Sequence, residues 1–267
     1  MSAPRSPELL VAPAKLTVSL SVLGRRPDGY HDIEAEMVSI DLHDLLWIDP
    51  DGDGLEVEAD PGSRAALLGD ENIVTKALRA VGRRAMVRLE KRIPVQGGLG
   101  GGSTDAGAVL RWAGVDDADV AAGLGADVPF CVRGGRAKVA GIGERLTPLR
   151  FEPRRFVLLV PPYGVDTAAV YREWDRQAGA SRPPAPDRVD PKRLNDLAPA
   201  AVAVEPRLAR WGALLGERTG SPPVLAGSGS TWWAEAAWDG PAEAVTLGDE
   251  VGRLIPVRTV PEGWRGR

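Results

Sequence analysis

Five of the six positions from Gly97 to Gly102 are glycine, and a Ser103–Thr104 pair follows at once. Glycine inside a folded element costs roughly 0.5–1 kcal/mol relative to alanine, so a run this dense needs an offsetting reason. A tight turn, a positive φ, or a backbone that must approach a ligand closely would each supply one. The run lies between a stretch of strand-like alternation, "MVRLEKRIP", and a helix-like one, "STDAGAVLRWAG". A helix N-terminus carries about half a positive charge and several unpaired N–H groups. Glycines in front of it let backbone amides close on a phosphate without side-chain obstruction. The chemistry implied is the handling of a phosphoryl group. Two common phosphate loops are excluded: no lysine follows the glycines as the Walker pattern requires, and a G-x-G-x-x-G count from Gly98 meets Ser103 at its last glycine. A flexible surface loop is the competing reading, and a glycine run wedged between strand and helix weighs against it.

Other side chains have chemical potential. Tyr30 and His31 follow the turn "RPDG". An aromatic face can stack on a pyrimidine, and an imidazole can read a base edge by hydrogen bonds. A hairpin Tyr-His pair packing against its own strand is the alternative. Asn72 and Thr167 each precede or open a helical pattern and suit N-caps. The two histidines, His31 and His43, with the one cysteine, Cys131, make a conventional zinc site improbable, and no metal-ligating set is assigned.

The elements that must position these residues can be read from periodicity. Leu16, Val18, Leu20 and Val22 alternate as a strand ending at "GRRPDGYH"; "AEMVSIDLHDLLWID" reads as strand, turn, strand, and "LEVEAD" as a further strand. "NIVTKALRAVGRRA" places Ile73, Ala77, Leu78 and Val81 on one helical face, and Ser103 or Thr104 is the expected N-cap of the helix after the glycines. "GADVPFCV" reads as a turn and strand carrying Cys131 as a small apolar residue; "RAKVAG", "RLTPL" and "RFVLLVPP" read as strands, and "TAAVYREWDRQ" as a helix. Residues 181–191 form a Pro-rich loop, two helices break near Pro206, and "PPVLAGSGSTWWAEAAW" is a strand, a Gly-Ser turn and a strand bearing Trp232 and Trp233 as core or rim aromatics. Strands and helices mix without regular βα alternation, so the class is α+β.

The chain of 267 residues, 43% hydrophobic, can bury one large core or two moderate ones. Its net charge of −4 argues against a nucleic-acid partner. A single cysteine permits no disulfide framework and points to a cytoplasmic setting, and no apolar window is long enough for a membrane span.

"KRIPVQGGLGGGSTDA" resembles the Pro-x-x-x-Gly-Leu-Gly-Gly-Gly-Ser motif of the galactokinase/homoserine kinase/mevalonate kinase (GHMP) superfamily. "APAKLTVSL", "GRRPDGYHDIE", "GADVPFCV" and "LAGSGSTW" resemble one branch of it, the 4-diphosphocytidyl-2-C-methyl-D-erythritol kinases, in the expected order from about Ala12 to Trp233. The resemblance implies a two-lobed kinase: a ribosomal-S5-like lobe over residues 1–153 and a ferredoxin-like lobe over 154–267. It implies ATP-dependent phosphorylation of the 2-hydroxyl of 4-diphosphocytidyl-2-C-methyl-D-erythritol in the non-mevalonate isoprenoid pathway. By the same resemblance Asp127 takes the hydroxyl proton, with Lys15 as its partner. Pro94, Gly97, Gly98, Leu99, Gly100, Gly101, Gly102, Ser103 and Thr104 hold ATP, with Asn72 near its base. Tyr30 and His31 hold the cytosine, and Thr17, Thr167, Gly227, Ser228 and Gly229 line the rest of the acceptor site. Mg²⁺ arrives with ATP, touching Ser103 or Thr104. The partners are small molecules, with no nucleic acid or membrane, and the chain is a monomer or weak homodimer.

Two departures stand out. Thr17 occupies a position where this family usually has asparagine, and Asp105 puts a carboxylate into the first turn of the phosphate-loop helix. Alternatives stay open: another superfamily kinase, for mevalonate or homoserine, which would have no cytosine for the Asp-Gly-Tyr-His turn to hold; or a nucleotide-binding relative without turnover, against which both Lys15 and Asp127 speak. An RNA-binding protein of S5-like shape is disfavoured by the acidic charge.

Overall fold

A computed structural model describes residues 6–59, 72–178 and 194–266. The expected Pro-rich loop at 181–191 lies outside the described residues.

The first sheet is organised around a long hairpin. β1 (Glu8–Arg25) and β2 (His31–Asp49) pair antiparallel along their whole length, from Glu8 opposite Ile48 to Arg25 opposite His31. The turn between them carries Asp28, whose carboxylate accepts from the Tyr30 N–H at 3.1 Å, as short Asp turns do. The other edge of β2 is shared. Ile33 to Val38 pair with β5 (Arg136–Gly141), and Leu45 to Asp49 pair with β4 (Met86–Glu90). β3 (Gly54–Glu58) adds to β4 in parallel, and β6 (Arg145–Pro148) adds to β5. The expected break within β2 is absent. The polar run Asp41–His43–Asp44 reads as a turn, but Asp44 is fully buried and accepts from the N–H groups of Arg92 (2.5 Å) and Ile93 (2.8 Å), so the strand continues.

Among the described residues four helices cover this sheet: α1 (Ile73–Ala80), α2 (Gly101–Trp112), α3 (Ala118–Leu124) and α4 (Val128–Arg133). In α1, Val74, Ala77 and Leu78 point into the core, and Asn72 caps it, accepting from Val74 N–H at 2.8 Å. The segment expected as a turn and strand after Asp127 is α4. Pro129 lies in its first turn, where a missing N–H costs nothing, and Val128, Phe130 and Cys131 fill the interior.

The second sheet is antiparallel, ordered β10 (Glu243–Leu247), β11 (Glu250–Arg258), β7 (Arg155–Val160), β9 (Trp232–Glu235), β8 (Val224–Leu225). α5 (Thr167–Ala178), α6 (Ala198–Val204) and α7 (Arg207–Thr219) pack on it, with Trp211 fully buried between. A third group of core residues joins the two sheets: Leu16, Val18 and Ile40 of the hairpin meet Phe156, Leu158 and Trp233. The Trp233 indole donates to the Thr17 carbonyl at 3.2 Å, stitching the second sheet to the strand that carries Lys15 and Thr17. The architecture is two-lobed α+β. Among the described residues no helix is long and apolar enough to cross a membrane.

Candidate active site

The glycine loop and β1 meet at Lys15. The Lys15 N–H donates to the Leu99 carbonyl at 3.1 Å, and its side chain runs beneath the loop. Gly100 has φ +68°, and a Cβ there would lie 2.6 Å from Lys15 Cγ. Gly98, at φ +77°, lies so close to the β8–β9 turn that a Cβ would sit 2.5 Å from the Ala226 carbonyl oxygen. Both glycines are therefore required by the protein's own close packing as well as by their backbone angles.

α2 begins inside the glycine run, at Gly101, with Gly100 as a left-handed N-cap. Neither Ser103 nor Thr104 caps it; both lie in its first turn. The first intrahelical bond runs from Thr104 N–H to the Gly100 carbonyl at 2.8 Å, so the N–H groups of Gly101, Gly102 and Ser103 open onto the loop. Thr104 is fully buried and its hydroxyl donates to the Pro13 carbonyl at 2.5 Å. This corrects its expected role: Thr104 fastens α2 to β1 and offers no oxygen to a ligand.

Asp127 stands immediately before α4, and its carboxylate caps nothing. Instead Asp127 Oδ2 lies 3.1 Å from Lys15 Nζ, which also donates to Thr17 Oγ1 at 3.3 Å. Lys15 and Thr17 share a strand face, as alternation predicts. The nearby Cys131 thiol is pushed up to about 12 by burial, reinforced by the Asp127 charge, so it is an inert core residue.

Asp105 lines a cavity beside the loop only marginally. It is buried and accepts from Lys91 Nζ at 2.7 Å, while Lys91 also contacts Asp44. Burial holds the Asp105 carboxyl well above the usual carboxylate range; Lys91 pulls it down and Asp44 adds to the rise. The expected repulsion of a phosphate by Asp105 is thus relieved by burial of the carboxyl and by its pairing with Lys91.

Two cavities flank the loop, and Gly98, Gly100 and Ser103 line both. One, of about 390 Å³, includes Asn72, Lys91 and Pro94 to Gly102. The other, of about 630 Å³, is lined by Lys15, Thr17 and Asp127 and also by Tyr30 and His31. Tyr30 is 60% exposed, with its ring free of core packing. His31 is packed, its ring stacked on Tyr171 at 4.7 Å and meeting Trp174 edge-on at 5.7 Å, with Nε2 2.7 Å from Asp175 Oδ1.

Thr167 opens α5 but does not cap it; Asp166 accepts from Ala169 N–H instead, at 2.9 Å. The Thr167 hydroxyl pairs with Ser228 at 2.8 Å, joining α5 to the Gly227–Gly229 turn. Gly227, at φ +60°, faces Lys15 Nζ and Thr17 Oγ1, each 3.8 Å from the position of a Cβ. Asn195 holds this turn by donating to the Leu225 and Gly227 carbonyls at 2.8 and 2.7 Å. Sequence reasoning missed Asn195, Tyr171 and Asp175. A signal existed for two of them: Thr167, Tyr171 and Asp175 recur every four residues along one helix face. Burial pushes the Tyr171 phenol up to about 12, with the Asp127 charge adding to it.

Residues 72–135 match the GHMP kinases N-terminal domain family. The chain is 38% identical over 230 residues to the 4-diphosphocytidyl-2-C-methyl-D-erythritol kinase of Paracoccus denitrificans, covering 82% of this chain and 84% of that one. It is 37% identical over 265 residues to the same kinase of Dinoroseobacter shibae, covering 92% and 90%. A crystal structure of 4-(cytidine 5'-diphospho)-2C-methyl-D-erythritol kinase superposes with a TM-score of 0.66 at 30% identity, over 92% of this chain and 99% of that one.

Proposed function

The chain belongs to the 4-diphosphocytidyl-2-C-methyl-D-erythritol kinases, and we propose that it runs their reaction between Lys15 and Asp127. It is an ATP-dependent kinase that phosphorylates the 2-hydroxyl of 4-diphosphocytidyl-2-C-methyl-D-erythritol for isoprenoid precursor synthesis. The hydroxyl oxygen bonds to the γ-phosphorus as the β–γ bridge breaks, ADP leaves, and the hydroxyl proton goes to a base. Asp127 is that base. Lys15, 3.1 Å from it, neutralises charge building on the transferring group.

ATP occupies the cavity beside Asn72 and Pro94, with its phosphates against the N–H groups of Gly101, Gly102 and Ser103. The cytidylated substrate fills the larger cavity, its base at Tyr30 and His31, its reacting hydroxyl at Asp127 and its diphosphate along the Gly227–Gly229 turn. Among the described residues no group of three or more His, Cys, Asp or Glu could hold a metal ion. We read Mg²⁺ as arriving with ATP, and Ser103, which lines both cavities, is the side chain that would add an oxygen to it. The ion supplies neutralisation of phosphate charge.

The observation that carries these roles is the Lys15–Asp127 pair in the larger cavity, with Lys15 packed beneath Gly100, which lines both cavities. We further read residues 1–153 and 154–267 as the two lobes, supported by β6 closing one sheet at Pro148 and β7 opening the other at Arg155. We also read it as a cytoplasmic monomer or weak homodimer acting on small molecules, without nucleic acid or membrane; the single cysteine supports the compartment and the net charge of −4 the absence of nucleic acid. A coupled ADP-release assay with the cytidylated substrate, mevalonate and homoserine tests the activity. Turnover only with the first is expected, and turnover with either of the others alone would overturn it.

A further inference from the structure

His31 and His43 are the two histidines of the chain, and they are held by opposite ring nitrogens. His43 Nδ1 lies 2.7 Å from the Asp41 carbonyl oxygen, which can only accept, so its proton sits on Nδ1. His31 Nε2 lies 2.7 Å from Asp175 Oδ1. A carboxylate likewise only accepts, so the His31 proton sits on Nε2. The Asp175 carboxylate has a second partner, Arg25 Nη1, 3.8 Å from its other oxygen. The stacked Tyr171 and edge-on Trp174, from the same helix as Asp175, restrict the plane of the imidazole. His31 Nδ1 makes no hydrogen bond among the described residues.

We propose that Asp175 is a positioning residue for base specificity: it holds the His31 proton on Nε2 and so leaves Nδ1 a bare acceptor for the 4-amino group of cytosine. This rests on the reading that the cavity takes the cytidyl end of the acceptor. Cytosine carries an N–H donor at position 4, where uracil carries a carbonyl. A lone pair on Nδ1 completes a hydrogen bond with the first and opposes a lone pair of the second, leaving both groups unpaired. Reversing the tautomer reverses the preference. Asp175 touches neither base nor phosphate in this account; it acts through His31.

Two measurements test it. Long-range ¹H–¹⁵N spectra of histidine-labelled protein at pH 8, assigned with His31→Ala, should show two neutral rings of opposite tautomer, His31 protonated on Nε2. Asp175→Asn can either accept from or donate to Nε2 and so releases the constraint; the site is partly exposed, so the fold should tolerate it. It should lower kcat/KM for the cytidylated substrate by roughly tenfold, through KM, leave the KM for ATP unchanged, and shrink the preference over a uridylated analogue. An Nδ1-protonated His31, or an undiminished cytosine preference in Asp175→Asn, overturns the proposal. If His31→Ala also keeps the full preference, the base-reading assignment of the cavity falls with it. If His31→Ala loses the preference and Asp175→Asn keeps it, the tautomer lock alone is wrong.

Discussion

The ammonium of Lys15 lies 3.3 Å from the hydroxyl of Thr17, two residues along the same strand face and buried with it. The hydroxyl accepts from the lysine, so its own hydrogen is left for the substrate side of the cavity. This is the position where the family usually has asparagine, and the two side chains share an acceptor oxygen and a donor. Thr17→Val keeps the shape and removes both. A hydrogen bond to a charged group contributes about 1.5–3 kcal/mol, so kcat/KM should fall by about one to two orders of magnitude. Thr17→Ser should lose much less. A wild-type kcat/KM in Thr17→Val would mean that Thr17 is only a strand residue.

Asp127→Asn keeps the size of the side chain and removes the proton acceptor while leaving the glycine loop untouched. Turnover should fall by roughly 10²–10⁴-fold, with ATP affinity measured by calorimetry nearly unchanged. Lys15→Ala should be comparably severe. Because the two groups form one pair, the double variant should be little worse than either single change. Additive losses would show that they act separately.

Local signals carried much of this site. The glycine loop, the Asp-Gly-Tyr-His turn, β7 and the α5 helix are visible because apolar runs, periodicity and turn residues are properties of neighbouring positions. What stayed hidden depends on partners distant in sequence. Asp44 looks like a turn residue until it meets Lys91, and Asp105 looks hostile to phosphate until the same lysine pairs with it. Asp175 has no evident purpose until the fold carries it to His31, 144 residues away. α4 escaped for a different reason: at six residues, with proline in its first turn, it is too short to show a helical period. The β10–β11 hairpin, rich in exposed polar positions, had no expected counterpart.

Gly100→Ala separates two uses of the glycine run. The left-handed backbone resists the substitution, and the methyl group would lie 2.6 Å from Lys15 Cγ, so the lysine must move. The loss should appear mainly in kcat. Gly101→Ala directs its methyl group to 3.1 Å from Lys91 Nζ and clear of Lys15. It should disturb the Lys91 contacts and lower the melting temperature, with a smaller effect on kcat. If Gly100→Ala instead raises only the KM for ATP, the close passage of Lys15 is not what requires the glycine.

Asp105 gives a stability signature whose sign can be worked out. Its carboxyl is held well above the usual range, chiefly by burial, so the folded state keeps its proton at pH values where the unfolded chain, with a carboxyl near 4, has lost it. Between those two values the folded state binds more protons, and stability declines as pH rises. The contribution of this group is therefore fully present below about pH 4 and is lost as pH rises through the folded value. Asp105→Asn preserves the shape, cannot ionise, and leaves Lys91 its contact with Asp44. The melting temperature of Asp105→Asn relative to wild type should therefore rise steadily from pH 4 towards pH 8. A difference that stays constant across that range, or that falls with pH, would show that the ionised Asp105–Lys91 pair outweighs the burial of the carboxylate.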